Sequence, residues 1–220
     1  MKEIGFIFDL DGVIVDTAKY HYLAWKNLAD QLGFEFTHEH NELFKGVSRK
    51  KCLEILLEIG KVEASQDQFD AWMIEKNVDY LAYIEKMKES EILPDVPRIL
   101  NFLKENNFPI GLGSASKNAR HILEKVNLIH FFDVIVDGNN VTKAKPDPQV
   151  FLIAAEVLEV NAEKCVVFED AIAGVQAANN AEMISIGIGD AEILSHADYN
   201  FDDFTQIDTP FLTKLINSLA

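Results

Sequence analysis

The sequence predicts an α/β fold: a doubly wound parallel sheet of Rossmann-like type, with a helical cap domain inserted after the first strand. Three observations predict it. Short, continuously apolar runs recur along the chain, each suited to a strand buried on both faces. Helical patterns alternate with the later runs, the rhythm that builds a parallel sheet. The stretch from Thr17 to Leu93 breaks this rhythm with helical periodicity alone.

Taken in order, Ile4 to Phe8 is the first apolar run, and Asp9-Leu10-Asp11-Gly12 follows it directly. The inserted helices are read from Leu23, Leu28 and Leu32, then Leu53, Leu56 and Leu57, then Phe69, Met73 and Leu81. Pro94 and Pro97 mark the return to the sheet. Further strands are expected at Ile110 to Leu112, Val134 to Val136, Cys165 to Phe168 and Ile184 to Ile188. Helices are expected at about Pro94 to Glu105, Asn118 to Val126, Pro148 to Leu158 and Ala171 to Asn179. The expected division is 1–16 with 94–220 as the α/β core and 17–93 as the cap. Ligands of such sheets bind beyond the carboxyl ends of the strands. A cap that leaves from the end of the first strand hangs over that place, where a lid would sit.

Composition narrows the function classes. The 220 residues carry 36 acidic and 20 basic side chains, a net charge of −16. That field repels phosphate backbones and anionic membranes, which argues against nucleic acid and membrane partners. No apolar run is long enough to span a bilayer. A phosphate ligand would need a local cluster of cations. Cys52 and Cys165 are far apart and lack metal-ligand spacing, so buried thiols in a reducing compartment are expected. Met1-Lys2-Glu3 leads into the first strand without a signal-peptide pattern, so the cytoplasm is the expected location. A monomer is the default.

The acidic residues carry the first chemical signal. Carboxylates as close as Asp9 and Asp11 repel unless a cation or a shared proton sits between them. Far along the chain, the strand at Val166 to Phe168 ends in Glu169-Asp170. If those two strands are neighbours, all four carboxylates converge, an oxygen donor set suited to Mg²⁺ and a phosphate. Helix caps and turns explain Asp170 alone, but explain poorly the Asp9 and Asp11 spacing together with the distant pair. Ser114-Ala115-Ser116-Lys117-Asn118 ends another strand with small polar residues, as a phosphate cradle at a helix start would. Lys145 precedes Pro146 and a helix, where its charge would balance the carboxylates.

Together these motifs resemble the haloacid dehalogenase superfamily over essentially the whole chain. The matching signature is Asp9-Leu10-Asp11-Gly12-Val13, then Ser114, then Lys145-Pro146, then Glu169-Asp170. Ala171 stands where many relatives carry Ser. The resemblance implies that Asp9 is a nucleophile that takes up a phosphoryl group, with Asp11 as general acid and base. It implies Mg²⁺ at Asp9, Asp11, Glu169 and Asp170. Ser114 and Lys145 would hold the transferring oxygens.

The cap suggests a more particular reaction. Thr17, His21 and Trp25 are spaced to share one helix face, and Lys45-Gly46-Val47-Ser48-Arg49 and Lys76 supply cations. Without the resemblance, Trp25 reads as core, Ser48 as a helix cap and the cations as a solvated surface. With it, these segments resemble the hexose-phosphate mutases of the superfamily. That implies interconversion of β-D-glucose 1-phosphate and glucose 6-phosphate through a 1,6-bisphosphate. Thr17 and Lys45 then join Asp9, Asp11, Ser114 and Lys145 as catalytic. His21, Trp25, Gly46, Val47, Ser48, Arg49, Lys76, Ala115, Ser116, Lys117 and Asn118 bind the sugar phosphate. The alternatives are a sugar-phosphate or phosphoglycolate phosphatase of the same superfamily, and a non-catalytic phosphosugar-binding regulator.

Overall fold

In the computed structural model, residues 4–219 are described. Residues 1–3 and 220, included in the expected core boundaries, lie outside them. The strands are β1 (Gly5–Phe8), β2 (Ile110–Gly113), β3 (Val134–Val136), β4 (Cys165–Glu169), β5 (Ile184–Ile188) and β6 (Tyr199–Phe201). They form one parallel sheet in the order β3-β2-β1-β4-β5-β6. The order reverses between β1 and β4, which pair with Phe8 beside Phe168. That crevice is where a doubly wound sheet receives its ligand.

Period-two alternation sorts the apolar side chains into two layers. Phe6, Phe8, Val166 and Phe168 face one side and pack with α5 (Val96–Glu105), α6 (Ala119–Lys125) and α9 (Thr209–Leu219). The rings of Phe8 and Phe168 stack at 4.6 Å across the two strands. Ile7 and Val167 face the other side, under α7 (Gln149–Leu158) and α8 (Ile172–Asn180). β6 and α9 were not expected from the sequence. β6 is a short edge strand that is not fully buried, and so lacks the continuous apolar run of the others.

Between β1 and α5 the chain is helical, as expected: α1 (Ala18–Leu32), α2 (His38–Glu42), α3 (Arg49–Gly60) and α4 (Gln66–Ile84). These helices enclose an apolar cluster of their own, including Trp25, Leu28, Phe36, Phe44, Leu53 and Leu56. Ala24, Tyr80 and Ile84 instead join the sheet-side core. The chain leaves and returns side by side: Val15 bridges Ile92, Leu93 N–H donates to Ile14 O at 3.0 Å, and Asp16 N–H to Glu91 O at 2.9 Å.

Several helix starts in the inserted segment are capped by their own side chains. Ser65 and Gln68 form a reciprocal capping box on α4, and the Ser48 hydroxyl caps α3 by accepting from Lys51 N–H. Thr17 occupies the cap position of α1, yet its side chain makes no cap bond. Both cysteines are free and buried. Among the described residues, no helix is long and apolar enough to cross a membrane.

Candidate active site

Neighbouring β1 and β4 deliver the acidic motifs to one crevice, and Asp9 N–H donates to Phe168 O at 3.0 Å. The two aspartates have unequal environments. Asp9 is buried; its Oδ2 accepts from Asp11 N–H at 3.0 Å and its Oδ1 from Lys145 Nζ at 2.5 Å. Asp11 is half-buried, and its Oδ1 accepts from the Thr17 hydroxyl. Burial, and then the charge on Asp9, push the Asp11 carboxyl up to about 6. Its repulsion with Asp9 is eased by the Lys145 cation on one partner and the Thr17 hydroxyl on the other.

Lys145 is almost wholly buried and sits between two carboxylates, Asp9 and Glu169, with 2.5 Å to each. Burial alone would lower its affinity for the proton, but Asp9 and then Glu169 override it and hold the ammonium well above its usual range. Phe151 closes the site, its ring centroid 4.8 Å from Nζ.

Glu169 ends β4, where its Oε1 accepts from Lys145 and its Oε2 from Ala171 N–H at 2.9 Å. Burial pushes its carboxyl up to about 7 against the pull of Lys145. Its carboxylate holds Lys145 from the side opposite Asp9. Asp170 does reach the crevice, its Oδ2 lying 2.1 Å from where a Cβ on Gly12 would stand. Gly12 has φ +83°, so glycine alone suits both the turn and that close approach. Burial, then Glu169 and Asp9, hold the Asp170 carboxyl well above its usual range, while Lys45 and Lys145 act the other way.

Among the described residues, no three His, Cys, Asp or Glu side chains gather into a closed metal cage. Asp9 with Asp170 still fits Mg²⁺, which takes one or two carboxylates and completes its shell with water, carbonyl and phosphate oxygens. The electrostatic strain on Asp170 is what such a cation would relieve.

The other expected residues fall into three groups. Ser114 is fully buried at the end of β2, where its Oγ accepts from Ser116 N–H at 3.1 Å; Ser116 Oγ accepts from Asn118 N–H at 3.2 Å. This leaves the Ser114 hydroxyl hydrogen free to donate. Ala115, Lys117 and Asn118 line the same cleft, and Asn118 Nδ2 donates to Asn77 Oδ1 of α4 at 3.0 Å.

On the helical segment, His21 presents Nε2 at 3.8 Å to Asp11 Oδ1 and Nδ1 at 3.1 Å to Lys76 Nζ. Burial, then Lys76 and Arg49, push His21 well below the usual histidine range, so its ring is neutral. A neutral ring that accepts from Lys76 carries its hydrogen on Nε2, toward Asp11. Lys76 is buried between the rings of Trp25 and Tyr80, 4.6 Å from each centroid. Burial and then Arg49 lower its ammonium to about 7. Trp25 is therefore both core and cleft wall.

The loop carrying Lys45 to Arg49 meets the sheet at Ala171, whose Cβ lies 2.8 Å from where a Cβ on Gly46 would stand. Lys45 pairs with Glu42 at 2.8 Å rather than with Asp9. The Ser48 hydroxyl is taken by its helix cap, as the residues alone suggested. Val47 and Arg49 line the cleft, a cavity of about 1200 Å³ that also holds Asp9, Asp11, Lys76, Ser114, Lys145 and Asp170. Sequence reasoning missed Tyr80 and Phe151. Tyr80 follows Lys76 by one helical turn, a spacing that pointed to it.

Asp9 bound to Lys145, Asp170 behind it and Ser114 on the adjoining strand define a phosphoryl-transfer centre at the head of a doubly wound sheet. The chain belongs to the haloacid dehalogenase-like hydrolases, whose family model matches residues 6–188. Within that family it is similar to the beta-phosphoglucomutase of Bacillus subtilis strain 168, 43% identical over 194 residues, or 87% of this chain and 86% of that one. A crystal structure of beta-phosphoglucomutase from Clostridium difficile superposes with a TM-score of 0.94 at 40% identity, covering 99% of this chain and 98% of that one. A phosphorylated carbohydrates phosphatase of Thermotoga maritima is 33% identical over 177 residues, 80% of each chain.

Proposed function

We propose that this enzyme interconverts β-D-glucose 1-phosphate and glucose 6-phosphate through β-glucose 1,6-bisphosphate and a phosphorylated Asp9. The observation that carries the reading is a second cationic centre in the same cleft: Lys76 and Arg49 on the helical segment, besides Lys145 at Asp9. A bisphosphate needs two such ends. Hydrolysis of a monophosphate needs one.

In this reading, phospho-Asp9 gives its phosphoryl group to the C6 hydroxyl of the 1-phosphate, and Asp11 takes the hydroxyl proton. The bisphosphate turns end for end. Asp9 then attacks the C1 phosphate, and Asp11 returns the proton to the departing C1 oxygen. Lys145 and Ser114 hold the equatorial oxygens, where charge is spread during transfer. Thr17 and His21 steer Asp11, while Arg49, Lys76 and Ser116 to Asn118 hold the distal phosphate. Asp9, Asp170 and the backbone of Asp11 would hold Mg²⁺, which when bound screens the carboxylates from the phosphate. Residues 17–93 act as a cap that excludes water from the aspartyl phosphate. The two unpaired, buried thiols support a reducing, cytoplasmic setting.

The test is a coupled assay with β-glucose 1-phosphate, Mg²⁺ and a trace of bisphosphate. Glucose 6-phosphate should form without matching release of inorganic phosphate. Stoichiometric phosphate would overturn the reading in favour of a sugar-phosphate phosphatase, the activity named for the Thermotoga maritima relative. Arg49→Ala should lose mutase turnover while keeping hydrolysis of small esters such as p-nitrophenyl phosphate.

A further inference from the structure

The turn that follows β3, Asp137-Gly138-Asn139-Asn140, is braced by its own hydrogen bonds. The buried Asp137 carboxylate accepts from Asn139 N–H at 2.8 Å. Asp137 N–H donates to Asn140 Oδ1 at 2.9 Å, and Asn140 N–H donates to Asp137 O at 2.9 Å. Side chains that bond their own backbone in this way hold a turn in one shape.

The braced turn grips the Ser114 to Asn118 loop at three places. Gly138 N–H donates to Ser116 O at 3.2 Å, and Asn139 Nδ2 donates to Lys117 O at 3.0 Å. Gly138 also lies so close that an added Cβ would stand 2.5 Å from Ala115 O. These contacts set the direction of the loop's amides, because in a trans peptide the N–H lies opposite the carbonyl oxygen. Holding Ser116 O turns Lys117 N–H away from Gly138. Holding Lys117 O turns Asn118 N–H away from Asn139, and that group meets Ser116 Oγ at 3.2 Å. Among the described residues, Lys117 N–H has no partner. The near end of the loop is anchored separately, by Ser114 N–H on Val136 O at 3.0 Å and Ser116 N–H on Ser114 Oγ at 3.1 Å.

We propose that Asn139 is a positioning residue for the substrate phosphate that lies away from Asp9: by holding Lys117 O it keeps Lys117 N–H and Asn118 aimed at that anion. This rests on the reading that Ser116 to Asn118 receive the distal phosphate. Oriented amides of this kind form an anion cradle only while their peptide planes are fixed.

Asn139 is exposed, and Asn139→Ala leaves the main-chain bond to Asp137 in place, so the melting temperature should hold. The KM for glucose 6-phosphate should rise about fivefold, the worth of one ordinary hydrogen bond, with kcat changed by less than about twofold. Hydrolysis of p-nitrophenyl phosphate should stay as it was, because that ester has only the phosphate that meets Asp9. An unchanged KM for glucose 6-phosphate overturns the proposal. So do equal losses on both substrates, or a lowered melting temperature with uniform loss. If the wild-type enzyme releases only inorganic phosphate, the mutase reading falls. Calorimetric binding of β-glucose 1,6-bisphosphate without Mg²⁺ then decides Asn139 by itself: about fivefold weaker binding in Asn139→Ala supports the proposal, and equal affinity overturns it.

Discussion

At the scale of single residues, local rules are broken where chemistry needs the atoms. Thr17 gives up capping α1 because its hydroxyl serves Asp11. A cap bond is worth about 1 kcal/mol, so the diversion lowers helix stability by roughly that much. Glu169 and Lys145 show the same trade in the core. Glu169→Ala leaves Ala171 N–H and one side of a buried ammonium without a partner. It should lower unfolding stability by about 3 kcal/mol, read from urea midpoints, and depress turnover with it. Lys76 makes a pH prediction. Its folded value of about 7 lies below the ordinary lysine value of 10.5, so between these the unfolded chain holds more protons and stability rises with pH. Lys76→Met should flatten that rise in thermal melts from pH 7 to 10. At pH 8, binding of glucose 6-phosphate should take up a proton at Lys76, seen as a calorimetric enthalpy that depends on the buffer's ionisation heat and loses that dependence in Lys76→Met.

At the scale of elements, strand pairing explains what was legible. Continuous apolar runs marked β1 and β4, and their adjacency brings Asp9 and Asp170 together. The same alternation sets the direction of Glu169. It lies one residue before Asp170, so it shares a face with Val167 and points toward α7 and α8, where Lys145 arrives. The pattern was readable; the lysine's approach was not, because it comes from a loop. Tyr80 was readable as a neighbour of Lys76, one helical turn on. Glu169 also depends on α8, since a Cβ on Gly174 would stand 1.8 Å from its Oε1. Gly174→Ala should displace Glu169 from Lys145. We expect a loss of about 1–3 kcal/mol in chemical denaturation together with reduced turnover, whereas an alanine at exposed Gln176 should change neither.

At the scale of the whole molecule, the two thiols report on separate regions. Cys52 lies in the helical cluster and Cys165 in the sheet layer, and burial pushes both up to about 12. Native protein should therefore react with a thiol reagent far more slowly than urea-unfolded protein, and mass spectrometry should show Cys52 slowed further by glucose 6-phosphate. The paired crossing at Val15 and Ile92 has a wider consequence. Loop-closure entropy grows with the separation that must be closed, and these two ends are already held side by side. The number of residues threaded between them hardly matters to the register of the sheet. Such an insert can be lengthened, shortened or exchanged over generations while the strands below keep their partners. Heredity can thus revise what the enzyme admits without reopening how it reacts.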